Sequence, residues 1–212
     1  PEPFKKLVNQ GMILGNSAFI HRIINTNTYI SYDLIEKYDV QKINVDIDLL
    51  TNNNELNIKK LKNSDIKFKN AEYMFNEKFI VCREVEKMSK SKFNVVSPDK
   101  ICDKYGADTL RMYEMFLGPL EQSKPWNMDG ITGVHNFLKK FWNLFHDESG
   151  FNVLDTKPNE NSLKILHKTI KKVNSDIESF SFNTCVSAFM ICVNELSSLN
   201  EKSSKVLRNL CL

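Results

Sequence analysis

Lys87 and Lys90 stand three residues apart in Lys87-Met88-Ser89-Lys90-Ser91, with small hydroxyls beside them. An ammonium is a compact point charge on a flexible stem, suited to a polyphosphate that changes shape during reaction. Serine hydroxyls and backbone N–H groups offer the same anion neutral donors. A loop of this kind closing over a triphosphate would stabilise the charge that builds on departing pyrophosphate, an effect of ~3–4 kcal/mol for one preorganised donor. Taken alone, the five residues describe a solvated basic loop in a lysine-rich chain more readily than a nucleotide loop. Other patterns are weaker. Ser89-x-x-Lys92 and Ser97-x-x-Lys100 match a serine acylase formally, but no Ser-Asp-Asn or Lys-Thr-Gly accompanies them. His21, His135, His146 and His167 lack a nucleophile or ligand at motif spacing and read as surface or interface histidines. Cys82, Cys102, Cys185, Cys192 and Cys211 form no C-x-x-C pair, and their odd count argues against a disulfide framework. They read as reduced core thiols, and no metal site is expected.

The elements around the loop follow from periodicity and punctuation. The chain has 212 residues, 42% hydrophobic content and a net charge of +3. That supports one large or two modest cores, and so mild a charge does not decide for or against nucleic acid. No apolar run reaches the ~20 residues of a membrane span. The chain starts on Pro1 rather than Met, so it is expected to be a piece of something longer. Residues 3–10 suggest a short helix, with Gly11 and Gly15 as punctuation. Strand-like runs fall at 19–24, 43–47, 66–68 and 79–82, with a turn at 51–54, giving a small strand-rich insertion at about 25–75. Residues 83–95 are charged and read as loop. Ser97-Pro98-Asp99 opens a helix that Gly106 ends, and a second helix runs to Gly118-Pro119. Beyond Trp126 the pattern is wholly helical. Phe137, Leu138, Phe141, Trp142, Leu144 and Phe145 make one apolar face. Leu163, Leu166, Ile170, Val173 and Ile177 make a seam on another helix, and Asn183 is placed to cap a third. Short links between such helices predict an antiparallel bundle.

The stretch EKMSKSKFNVVSP, Glu86 to Pro98, is followed by Asp99 and by Lys104-Tyr105-Gly106-Ala107-Asp108-Thr109-Leu110-Arg111. Together they resemble the signature loop of class I aminoacyl-tRNA synthetases and the helices after it. The wider string resembles the leucine enzymes more than their isoleucine, valine or methionine relatives. Residues 4–12 resemble a strand entry near the end of that family's nucleotide fold. Met115-Phe116-Leu117-Gly118-Pro119, Trp126, Val173-x-x-Asp176 and Phe182-Asn183-Thr184, with Met190 and Asn194, resemble its passage into a tRNA-binding bundle. The likeness covers nearly the whole chain and is weakest at 25–75. Many family members have Gly where this chain has Phe93, and Phe cannot take a positive φ cheaply.

The resemblance implies a mixed fold: the end of a Rossmann-like catalytic domain (1–82, inserted α+β segment at about 25–75), the loop and stem-contact helices (83–120), then an all-α anticodon-binding bundle (121–212). It implies a leucine–tRNA ligase activity, with leucyl-adenylate formed from leucine and ATP and the leucyl group passed to tRNA(Leu). Lys87 and Lys90 would contact ATP phosphates, Met88 the adenine through its backbone, and Ser89 and Ser91 would complete the ATP site. Mg²⁺ would sit on the phosphates, with no metal site in this chain. The leucine pocket would lie mostly upstream, and the parent enzyme would be a cytoplasmic monomer with no membrane contact. Lys164, Lys168, Lys171 and Lys172, with His167, share one side of the seam helix, and Lys139-Lys140 is a second basic pair. A solvated lysine face is the ordinary reading of both. Beside a synthetase loop they become candidates for tRNA phosphates. Two rivals stay open: another class I synthetase of the isoleucine, valine or methionine type, and a non-catalytic tRNA-binding helical module.

Overall fold

The computed structural model describes residues 3–51 and 54–212. It divides into two compact units, one of residues 12–96 and one that joins 1–11 to 97–212.

The 12–96 unit is built around one long strand, β1 (Ile13–Ile23). β1 pairs antiparallel with β2 (Thr28–Ile30), β3 (Val40–Val45) and β5 (Cys82–Lys87), and β4 (Glu72–Met74) adds to β2 in parallel. Two short helices, α1 (Ile58–Ser64) and α2 (Ile66–Lys69), lie between β3 and β4. One core joins these parts: Ala18, Ile20, Tyr29, Val45, Leu61, Phe68, Phe79 and Val81 are all buried together. The segment expected as an insertion at about 25–75 therefore does not stand apart. Its strands β2 and β3 hydrogen-bond to β1, β4 joins through β2, and its side chains fill the same core. The unit also runs on to 96 instead of ending at 82.

Three local readings change here. Residues 66–68, read as strand, are helical. Asp65 accepts the Lys67 N–H at 3.1 Å and caps the turn, leaving only Phe68 of the short helix buried. Residues 83–87, read as loop, are the strand β5. Its side chains from Arg83 to Val85 are exposed, so the backbone ladder to β1 holds it, not an apolar stripe. His21, read as a surface or interface histidine, is buried on β1, and burial, then the nearby Lys42 charge, lowers its pKa. Half of the turn read at 51–54, Asn52-Asn53, lies outside the described residues.

In the other unit, residues 3–10 form no helix. Gly11 donates its N–H to the Leu120 carbonyl at 2.8 Å. A Cβ there would lie 2.1 Å from the Gln122 backbone, which only glycine permits. Six helices follow: α3 (Pro98–Tyr105), α4 (Ala107–Phe116), α5 (Asp129–Phe145), α6 (Glu160–Glu178), α7 (Phe182–Ser198) and α8 (Ser204–Cys211). Pro98 opens α3, and Gly106 at φ 88 divides it from α4, as the punctuation predicts. α7 packs on α4, α5 and α6, and α8 on α6. Phe137, Leu144, Leu166, Cys192, Val193, Leu196, Val206, Leu207 and Leu210 form the core. The stretch is not wholly helical, since His146–Asp147 pairs with Gly150–Phe151 in a small hairpin. Ser181, not Asn183, stands at the N-cap of α7.

The α6 seam is turned from its expected position. The buried stripe is Ser162, Leu166, Thr169, Val173 and Asp176, while Ile177 is 51% exposed. Two of its polar side chains make bonds within the helix. Thr169 Oγ1 donates to the Ile165 carbonyl at 3.0 Å, and Asp176 takes Lys172 Nζ at 2.5 Å. All five cysteines are free, but only Cys185 and Cys192 are buried.

Candidate nucleotide loop and basic helix faces

Lys87 ends β5 opposite Leu14 of β1. Met88 and Ser89 leave the sheet, and Lys90–Lys92 make one 3-10 turn. The chain returns through Phe93 at φ 53, ψ 32, in the left-handed region. This is a conformation that glycine adopts freely and that costs a Cβ-bearing residue roughly 1–2 kcal/mol. Its ring is 52% exposed.

One buried side chain ties the loop together. Asn94 Oδ1 accepts the Ser89 N–H at 2.8 Å. Its Nδ2 donates to Ser17 Oγ at 2.9 Å and to the Lys87 carbonyl at 3.3 Å. Ser17, fully buried on β1, donates in turn to Glu86 Oε2 at 3.0 Å. The same carboxylate holds Lys92 Nζ at 2.9 Å. Lys92, and then Ser17, keep the Glu86 carboxyl below the usual range. Gly15 leaves room for this arrangement, since a Cβ there would lie 2.3 Å from the Asn94 carbonyl oxygen.

The loop thus sorts its lysines. Lys92 is paired. Lys87 and Lys90 are exposed, and neither belongs to an ion pair among the described residues. Ser89 and Ser91 lie beside them, their hydroxyls 2.9 Å apart. Two free ammoniums, two hydroxyls and a fixed backbone suit an anion with several oxygens. Sequence reasoning named the lysines and serines as candidates, gave Ser17 no role, and read Gly15 only as punctuation and Glu86 only as the start of the signature stretch. The readable signal was alternation. Gly15 and Ser17 are small residues on one face of a strand whose next residue on that face is Phe19.

The helical candidates divide. On α6, Lys164, His167, Lys168 and Lys171 are exposed opposite the buried stripe, but Lys172 is committed to Asp176. On α5, Lys139 is exposed, and Lys140 Nζ donates to Asn194 Oδ1 of α7 at 2.9 Å. Among the described residues no three His, Cys, Asp or Glu side chains gather as a metal site, and no helix is long and apolar enough to cross a membrane.

Residues 64–126, which contain the loop, match the family model described as class I tRNA synthetases (I, L, M and V). That stretch is similar to the class I aminoacyl-tRNA synthetases. Over its whole length the chain is 58% identical to the leucine–tRNA ligase of Flavobacterium johnsoniae and to that of Christiangramia forsetii. The likeness to leucine–tRNA ligases thus runs the whole length of this chain, which spans 22% of the length of those relatives. Among solved structures, the ternary complex of Agrobacterium radiobacter K84 agnB2 LeuRS-tRNA-LeuAMS is similar at a TM-score of 0.47 and 25% identity, over 59% of this chain and 18% of that one.

Proposed function

We propose that this chain supplies the ATP-phosphate loop, and part of the tRNA-binding helices, of an enzyme that joins leucine to tRNA(Leu). The observation that carries this reading is the pair of free ammoniums, Lys87 and Lys90, on a loop fixed by Asn94 in a chain so close to leucine–tRNA ligases. In the first step the leucine carboxylate attacks the α-phosphate of ATP, giving leucyl-adenylate and pyrophosphate. Lys90, on the exposed turn, neutralises charge gathering on the β- and γ-phosphates, and Lys87 steadies the triphosphate from the end of β5. The Met88 backbone borders the adenine, and Ser89 and Ser91 donate to phosphate oxygens. Mg²⁺ arrives on the phosphates and adds Lewis acidity there. Lys164, Lys168, Lys171 and Lys139 face RNA phosphate as positioning contacts.

The test is Lys90→Ala in the full-length protein. ATP–pyrophosphate exchange driven by leucine should fall roughly 10²–10³-fold, the loss typical of one preorganised donor. Exchange at the parent rate would remove the loop from the reaction. Since the family model covers isoleucine, methionine and valine enzymes too, charging with each of the four amino acids decides the substrate. Leucine should be preferred. The isolated 212 residues, about a fifth of such an enzyme, should form no adenylate.

A further inference from the structure

We infer that Ser17, from the middle of β1, is a positioning residue for the nucleotide loop, acting through Asn94 and Glu86. The inference rests on the proposed role of the loop and extends it to a residue 77 positions away from Asn94. Ser17 is fully buried and has both hydrogen-bonding roles filled. It accepts from Asn94 Nδ2 at 2.9 Å and donates to Glu86 Oε2 at 3.0 Å. Each partner fixes a different part of the loop. Asn94 grips the Ser89 amide and the Lys87 carbonyl, the two backbone groups that bracket Met88. Glu86 draws Lys92 back toward the sheet and so keeps a third ammonium away from Lys87 and Lys90. A single hydroxyl thereby couples the start of the loop, its turn and its return to the rigid strand at its base.

Alternatives to Ser at this site are few. Ala leaves Asn94 Nδ2 with only the longer 3.3 Å bond to the Lys87 carbonyl and takes a donor from Glu86. A larger side chain has no room beside Asn94, which already approaches β1 so closely that position 15 must be Gly. The consequence is specific. The loop should lose definition while the sheet persists, because the β1–β5 ladder is made by backbone groups, those of Ser17 included, and not by the Ser17 hydroxyl.

The experiment uses the full-length protein with Ser17→Ala, Ser17→Cys and Lys90→Ala. Cys has the shape of Ser with only a slightly larger terminal atom and is a weak donor and acceptor, so it decides the question should Ala fail to fold. Two readouts are taken: hydrogen exchange of the Ser89 amide against that of Ile20 in the same unit, and steady-state ATP–pyrophosphate exchange. Ser17→Ala should speed Ser89 exchange while Ile20 holds, and raise the KM for ATP by about three- to tenfold with the KM for leucine unchanged. Ser17→Cys should move both in the same direction by less. Unchanged Ser89 exchange overturns the inference. So does a loosened loop with normal ATP kinetics when Lys90→Ala is inactive. If Lys90→Ala is fully active, the ATP reading is what fails, and the Ser89 amide alone then decides whether Ser17 holds the loop.

Discussion

Phe93 is where the loop departs most plainly from local preference. It sits at φ 53 with its ring half exposed, so little packing offsets the strain. Gly at this position removes the Cβ clash but gives the unfolded chain more freedom, worth roughly 0.5–1 kcal/mol against it. Phe93→Gly is therefore expected to stabilise the 12–96 unit by up to about 1 kcal/mol, the excess of strain over that entropy. Phe93→Val should destabilise by at least as much, because β-branching makes a positive φ harder to hold. Denaturant midpoints for the two variants check the signs, and a stabilising Val would contradict the strain argument. This residue was legible in sequence, since a missing Gly between Lys92 and Asn94 announces a strained turn. Ser17 was not. Its meaning depends on Asn94 and Glu86, both about 70 or more positions away, and a lone Ser in a strand carries no local signal.

Helices were legible in the sequence where punctuation set their ends, as at Pro98 and Gly106, and less so where burial had to be inferred from hydrophobicity. α6 shows why. Its apolar residues suggested one face, but Thr169 bonds back to the Ile165 carbonyl and Asp176 takes Lys172 on Oδ1, so the buried stripe could include them. β5 was missed for the converse reason, since a strand held by backbone bonds needs no apolar stripe. Two predictions belong to α6. The Lys172 hydrogen bond holds the Asp176 carboxyl below its usual range. A folded pKa below the unfolded one means stabilisation that is full above the unfolded value of about 4 and lost as pH falls through the lower folded value. Thermal stability should therefore fall below about pH 4 in the parent, and Asp176→Asn should flatten that part of the profile while lowering stability at neutral pH. An unaltered acid limb would show that the pair adds nothing. On the opposite face, Lys168→Glu with Lys171→Glu in the full-length protein should weaken tRNA binding. It should also reduce the slope of log K against log salt by about 1–2, one contact per charge. An unchanged slope would return these lysines to a solvated face.

At the scale of the molecule, two cores stand in one chain. One gathers Ala18, Ile20, Tyr29, Leu61, Phe68 and Phe79, the other Phe137, Leu166, Val193, Leu196 and Leu207. No residue is common to both lists, and the sequence crosses between the two units near 11–12 and again near 96–97. Composition allowed two modest cores but could not choose them, because the first unit is closed by long-range strand pairing. Residues 18–23 of β1 meet β3, and residues 14–19 meet β5 some seventy positions further on. Each core should then be a cooperative element of its own. Truncating a fully buried leucine leaves a cavity costing about 2–5 kcal/mol, and that cost should fall on the unit that contains it. Leu61→Ala is expected to raise native-state hydrogen exchange at Ile20 and Val45 and leave Val193 and Leu196 as they were. Leu196→Ala should do the reverse. If either variant instead raised exchange equally in both sets, the two cores would unfold as one, and loop variants in the 12–96 unit would have to be read as perturbing the helices as well.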